Sequence, residues 1–200
     1  MIKNIIFDMG NVLLDYNPRI PLGMYLDNDS DRTLIRKELF ESEEWILRDK
    51  GMITKDEMYH RIVQRIPDRE DLKNGLRKCI DNWYVCMKAL PGARECVESC
   101  KKAGYKVYIL SNAGDDFHEY FKEFLPEEYF DGIIVSAFIH KIKPEPEIYQ
   151  HLLNQYHLKA EECFFVDDRQ DNVEAAVAAG MYGMRFEGSY DAVCKAVFHL

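Results

Sequence analysis

Three short apolar runs in this chain end on polar residues that can carry chemistry. Asn4-Ile-Ile-Phe leads into Asp8-Met-Gly10-Asn11, Val107-Tyr-Ile-Leu into Ser111-Asn112, and Phe164-Phe-Val into Asp167-Asp168. If the runs are parallel strands of one sheet, their carboxyl ends open into one crevice, although the residues are scattered along most of the chain. Asp8, Asp167 and Asp168 would then crowd negative charge into a small volume, which carboxylates tolerate only with a cation. Oxygen ligands without His or Cys select Mg²⁺, an ion that keeps waters and takes one or two protein carboxylates. Lys143 sits in Lys141-Ile-Lys-Pro-Glu-Pro146, a loop stiffened by two prolines, from which it can reach back as a fixed positive charge. Ser111 offers a hydroxyl donor, and the N–H groups after it, opening towards a helix near Asp115, make a seat for an anion. An acidic nucleophile, a hard cation, a lysine and anion donors together describe phosphoryl transfer.

The elements that must position these groups are readable from pattern. Lys3–Phe7, Lys106–Leu110, Gly132–Val135 and Cys163–Val166 are apolar runs suited to strands buried on both faces of a parallel sheet. Helical periodicity predicts helices over Ala93–Ala103, Asp115–Phe124, Glu147–Tyr156 and Asn172–Ala179, with Gly104, Pro126 and Gly180 as stops. Strand alternating with helix predicts an α/β fold, a Rossmann-like doubly wound parallel sheet of about five strands. Residues 17–87 break the alternation. They hold no convincing strand and read as successive amphipathic helices, one opened by the capping box Thr54-Lys-Asp-Glu57 and another running from Pro67-Asp68 towards Trp83. The expected division is a core of residues 1–16 and 88–200 with an inserted all-helical cap of residues 17–87. An insertion after the first strand hangs over the crevice.

Composition narrows the function classes. The chain has 200 residues, 47% of them hydrophobic and 30% charged, so one globular core with an insertion is expected, without disulfide or zinc support. The formal charge of −9, spread without a basic stripe, argues against a nucleic-acid partner. The six cysteines form no Cys-x-x-Cys pair and read as buried free thiols of a reducing compartment. No apolar run approaches a membrane span and no leader cleavage site follows the N-terminal run, so the reading is a cytoplasmic monomer without membrane association.

Asp8-Met-Gly-Asn-Val12, Ser111-Asn112, Lys143-Pro144, and Asp167-Asp168 followed by Asn172 resemble the four ordered motifs of the haloacid dehalogenase (HAD) superfamily. Each is common by itself; their order, each at the end of its element, carries the resemblance. The resemblance covers the whole α/β part, and the helical insertion matches the family's small cap. It implies that Asp8 attacks the substrate phosphorus and forms an aspartyl phosphate that water hydrolyses. It also implies that Asp8 and Asp168 hold Mg²⁺ with the main-chain carbonyl of Gly10, that Asp167 acts mainly through a bound water, and that Ser111, the Asn112 N–H and Lys143 bind the phosphoryl oxygens. Lys143 would in addition offset the charge on Asp8.

One position departs from the pattern. Most phosphatases of the superfamily carry an acid/base aspartate two residues after the nucleophile, where this chain has Gly10. The wording Phe7-Asp-Met-Gly-Asn-Val-Leu also resembles a bacterial branch that includes sugar-1-phosphate phosphatases, which implies a sugar phosphate as the small phosphorylated metabolite. Asn11 and Asp15 are the near candidates to replace the acid, although Asn has no titratable proton and Asp15 can equally cap the first turn. Arg19 could meet a substrate's polar tail or be a solvated residue, Arg169 reads as a local counter-charge to the acidic pair, and His118, His140, His151 and His157 read as structural. Two other functions are weighed. A 2-haloacid dehalogenase would use the same attack without metal, but the acidic pair would repel its carboxylate substrate. An impaired member that only binds a phosphorylated ligand or a protein would leave Asp8, Lys143, Asp167 and Asp168 as costly buried charges.

Overall fold

In a computed structural model, which describes residues 1–122, 124 and 126–198, the chain enters its sheet at once with β1 (Asn4–Phe7). A two-residue β2 (Leu14–Asp15) follows, then five α-helices: α1 (Arg19–Tyr25), α2 (Asp29–Ile35), α3 (Glu43–Asp49), α4 (Lys55–Val63) and α5 (Glu70–Asp81). The chain returns through β3 (Lys88–Ala89), α6 (Ala93–Lys102), β4 (Lys106–Ser111), α7 (Phe117–Phe121), β5 (Gly132–Val135), α8 (Ser136–Ile139) and α9 (Pro146–Gln155). It ends through β6 (Cys163–Asp167), α10 (Gln170–Ala178), β7 (Tyr182–Arg185) and α11 (Tyr190–Phe198).

The five long strands form one parallel sheet in the order β5-β4-β1-β6-β7. Side chains alternate across it, as strand geometry requires. Ile5, Phe7, Val107, Ile109, Phe164 and Val166 join an apolar cluster with α6, α11 and the inserted helices. Ile6, Tyr108, Leu110 and Phe165 join a second cluster with α9 and α10. The sheet is therefore buried on both faces, and its strands read as unbroken apolar runs for that reason. The register sets Phe7 opposite Ile109 on one side and Val166 on the other, so Asp8 and Asp167 leave neighbouring strands at one level.

The helices between β2 and β3 begin where local chemistry directs. Asn28 and Ser42 accept the N–H groups of Asp31 and Trp45, and Thr54 forms the expected capping box with Glu57. Antiparallel pairing of β2 with β3, Leu14 opposite Ala89, ties the two crossings between inserted helices and sheet.

Some boundaries differ from the sequence reading. The helix expected over Asp115–Phe124 is shorter, Phe117–Phe121, because the Asp116 carboxylate is engaged by Lys55 and Trp83 and its backbone stays outside the helix; Glu123 lies outside the described residues. Edge strand β7, with Gly183 at its centre, and α11 carry patterns too short or too mixed to stand out. Asp15 caps nothing: it is paired with Lys88 in the β2/β3 ladder, and α1 has Pro18 at its N-cap. All six cysteines are free. No helix among the described residues is long and apolar enough to cross a membrane.

Candidate active site

Asp8, the first residue beyond β1, is anchored by its own N–H, which donates to the Val166 carbonyl at 2.8 Å. Lys143 reaches across from the loop before α9 and donates to Asp8 Oδ1 and Asp167 Oδ2, both at 2.7 Å. The lysine side chain is 1% exposed and Asp167 is fully buried, so this is an ion triplet held out of water. Asn172, in the first turn of α10, donates to both Asp167 oxygens at 3.0 and 3.1 Å, and the Arg169 N–H donates to Asp167 Oδ1 at 2.9 Å. Asp167 is thereby fixed as an acceptor. Asp168 turns the other way, accepting from Asn11 Nδ2 at 3.1 Å. Asn11 is in the left-handed backbone region, φ 55°, which asparagine tolerates better than most residues.

One carboxylate oxygen from each of Asp8, Asp167 and Asp168 lies within 4.8 Å of the other two. Burial drives the Asp8 carboxyl up to about 7; Lys143 pulls it down and Asp167 pushes it up. Burial likewise raises Asp168, against the hydrogen bond from Asn11. Lys143 stays charged: burial lowers its basicity, but its two carboxylate partners outweigh that and raise it. One lysine thus faces more carboxylates than it neutralises, and an all-oxygen donor set of this kind suits a hard divalent cation such as Mg²⁺.

The residues expected to seat a phosphate are placed differently from one another. Ser111 is 1% exposed and its hydroxyl finds no partner among the described residues. The Asn112 side chain clamps the lysine loop, accepting from the Lys143 N–H at 2.8 Å and donating to the Lys143 carbonyl at 2.9 Å. The Ala113 N–H, expected to be open to an anion, instead donates to Ser136 Oγ at 2.9 Å. Arg169 also differs from expectation: its guanidinium pairs with Asp171 at 2.6 Å and leaves the acidic pair alone. Arg19 is exposed at the start of α1 and does not line the cavity described next.

A cavity of about 650 Å³ opens above Asp8. Asp8, Gly10, Asn11, Asn112, Lys143 and Asp168 line one side; Tyr16, Phe40, Trp45, Ile46, Trp83 and Met87 supply an apolar and aromatic wall. Phe40, Trp45 and Trp83 pack in series, ring centroids 4.8 and 5.5 Å apart.

The sequence matches the description "haloacid dehalogenase-like hydrolase" over residues 2–180. The chain belongs to this family. It is 31% identical to the sesquiterpene phosphatase astK of Aspergillus oryzae over 94% of this chain and 91% of that protein. It is 26% identical to flavin mononucleotide hydrolase 1 of Arabidopsis thaliana over 80% of this chain, and spans 64% of that longer relative. Among solved structures, a HAD-family enzyme of Bacteroides thetaiotaomicron, crystallised with magnesium and inorganic phosphate, shares the fold with a TM-score of 0.74 at 21% identity, over 94% of this chain and 96% of that one.

This HAD-like hydrolase has a second buried charge cluster that sequence reasoning missed. Arg48, whose side chain is 1% exposed, comes within 2.5 Å of Asp116 and 3.9 Å of Asp49. Its guanidinium lies between the rings of Trp45 and Trp83, 5.7 and 5.8 Å from their centroids. None of its nitrogens makes an aligned hydrogen bond among the described residues, so the short approach to Asp116 is an ion pair without hydrogen-bond geometry. Lys55 and Trp83 also hold Asp116, at 2.9 and 2.8 Å. A usable signal was present: Arg48 follows Trp45 by three residues and shares its buried helix face.

Proposed function

We propose that this chain is a Mg²⁺-dependent phosphatase that hydrolyses small phosphorylated metabolites through an aspartyl phosphate on Asp8. The carrying observation is the Asp8–Lys143–Asp167 triplet at the floor of a cavity large enough for an organic phosphate. In this reading Asp8, Asp168 and the Gly10 carbonyl hold the metal, with Asp167 acting through a water, and the bound cation supplies charge neutralisation for the transferring phosphoryl group. Lys143, Ser111 and the Asn112 N–H bind phosphoryl oxygens; the buried, unpartnered Ser111 hydroxyl supports that role. Lys143 also pulls the Asp8 carboxyl down against the burial that raises it. Residues 17–87 act as the cap and residues 1–16 and 88–200 as the core, with the helices supplying the apolar wall. The free thiols support a reducing compartment such as the cytoplasm.

For the organic group, the wall of Tyr16, Phe40, Trp45, Ile46, Trp83 and Met87 favours an apolar or aromatic ester over the sugar phosphate expected from the motif wording. The names of two relatives, a sesquiterpene phosphatase and a flavin mononucleotide hydrolase, point the same way. The test is phosphate release from farnesyl phosphate, flavin mononucleotide and a hexose 1-phosphate, each with Mg²⁺ and then with chelator. Chelator-sensitive release, highest kcat/KM for the first two, is the expected result. A preference for the hexose ester would reinstate the sugar reading, and no release from any ester would remove the phosphatase. Asp8→Asn should reduce release to the uncatalysed background while the chain stays folded by circular dichroism, since the amide is isosteric but a poor nucleophile.

A further inference from the structure

Hydrolysis of an alkyl phosphate needs a proton for the departing oxygen, and the groups assigned above do not supply one. Asp8 is the nucleophile. Asp167 is fully buried, fixed as an acceptor by Lys143, Asn172 and the Arg169 N–H, and absent from the cavity lining. Asp168 is held by Asn11 on the metal side, Glu145 is paired with Lys50 at 2.6 Å, and Gly10 has no side chain. The phenol of Tyr16 is driven well above its ordinary range by burial and by Asp49, so it is a poor acid. One carboxyl remains on the cavity wall. Resting on the phosphatase reading, we propose that Asp49, at the end of α3, is the general acid and base of this site: its carboxyl protonates the leaving oxygen, and its carboxylate then activates the hydrolytic water.

Geometry supports the placement. Asp49 lines the same cavity as Asp8, keeps 15% of its side chain exposed, and accepts no hydrogen bond from the described residues. A polar group so enclosed and unpartnered has an interaction left to make. The turn that carries it is fastened to the sheet. The Asp49 carbonyl accepts from Ser136 Oγ, which also accepts from the Ala113 N–H at 2.9 Å, two residues beyond Ser111. The Lys50 carbonyl meets His140 Nδ1 at 3.1 Å, and Gly51, at φ 69°, lies against the Ala137 backbone where a Cβ would collide. Asp49 thus belongs to the inserted helices by sequence but is fixed to the strand ends by contact.

Its surroundings suit the role. Burial raises the Asp49 carboxyl to about 7, Arg48 lowers it and Asp116 raises it; Tyr16 and Tyr120 face it as neutral phenols, and Lys50 is turned to Glu145. An acid poised near neutrality can give and retake a proton in one cycle. In the first step an Asp8 oxygen bonds to phosphorus, the bond from phosphorus to the ester oxygen breaks, and the Asp49 proton passes to that oxygen, giving alcohol, aspartyl phosphate and Asp49 carboxylate. In the second, water oxygen bonds to phosphorus, the bond to Asp8 breaks, and the water proton returns to Asp49, giving inorganic phosphate and free Asp8.

The experiment compares wild type and Asp49→Asn on 4-nitrophenyl phosphate, whose leaving group needs no proton, and on a simple alkyl phosphate. For the alkyl ester kcat/KM should fall about 10²- to 10⁴-fold in the variant. For the aryl ester, formation of the aspartyl phosphate should keep its rate, seen as a burst of one nitrophenol per chain before a slow steady state. Wild-type kcat/KM on the alkyl ester should fall as pH rises through about 7, and that limb should vanish in Asp49→Asn. Gly10→Asp, where an added Cβ would meet only Tyr16 Cβ at an ordinary contact distance of 3.9 Å, should restore alkyl-ester turnover in the Asp49→Asn background. Equal losses on both esters, without a burst and with the pH limb kept, would overturn the assignment and leave Asp49 structural. Should Asp49→Asn not fold, Asp49→Glu is read instead: it should keep the wild-type ratio of alkyl to aryl rates, and a collapse of that ratio would overturn the proposal. Wild type inactive on every ester would sink the phosphatase reading itself, and this proposal with it.

Discussion

Two buried cations, Lys143 beneath the cavity between two aspartates and Arg48 behind its aromatic wall among three, are treated differently. Lys143 donates to Asp8 and Asp167 at equal 2.7 Å distances, and Asp167 is further pinned by Asn172. Arg48 is closer to Asp116, at 2.5 Å, stands 3.9 Å from Asp49, and makes no aligned hydrogen bond among the described residues. The lysine triplet is a positioning device: a flexible ammonium satisfied in a fixed geometry. The arginine cluster is held by cation–π contact and charge, and it leaves the Asp49 carboxyl without a hydrogen bond among the described residues. With their partners counted, the Asp8 and Asp49 carboxyls are both raised to about 7, chiefly by burial, so titration does not separate them; the geometry of the partner does. Lys143 donates a hydrogen bond to Asp8, whereas Arg48 meets Asp49 only as an ion pair at 3.9 Å, which leaves the Asp49 carboxyl free to bond a group in the cavity.

Breaking the first cluster should have the largest effect. Lys143→Met leaves Asp8 and Asp167 buried without their cation and should cost about 3–5 kcal/mol in urea unfolding, together with loss of phosphate release. An unchanged midpoint would show that the triplet carries no stability.

The pH dependence of the second cluster comes next. The folded-state pKa of Asp49, about 7, stands above the ordinary carboxylate value of 3.8, so its contribution to stability is complete below about pH 4 and is lost as pH rises to about 7. Asp49→Asn lacks that loss. Measured without divalent cation, the stability of the variant relative to wild type should rise by up to a few kcal/mol from pH 4 to 7 and stay level above. A flat difference would mean that Asp49 ionises normally.

Arg48→Met keeps the packing volume between Trp45 and Trp83 but removes the charge. Because Lys55 and Trp83 still hold Asp116, the expected cost is about 2–3 kcal/mol, less than for Lys143. A cost equal to that of Lys143→Met would erase the distinction between the clusters. Gly114→Ala probes the same guanidinium by contact, since a Cβ there would collide with Arg48 Nη1; a loss of about 1–3 kcal/mol in thermal unfolding is expected.

Much of this protein is written in local pattern. The strand ends at Asp8, Ser111 and Asp167, the break in alternation after the first strand, and the Thr54–Glu57 capping box can be read from the residues because apolar runs, turn residues and caps act over a few positions. That Asp8, Asp167 and Asp168 converge also follows, since parallel strands that end together bring their ends together. Tertiary structure alone decided the rest. The Asn112 clamp on Lys143 spans 31 positions, Lys143 reaches Asp8 across 135, and Ser136 fastens Asp49 across 87. Spacing puts Arg48 on the helix face of Trp45, but only the packed structure encloses it between Trp45 and Trp83. Burial, and with it the protonation of Asp8 and Asp49, belongs to the packed whole, because the desolvation that shifts a carboxyl comes from atoms distant in sequence.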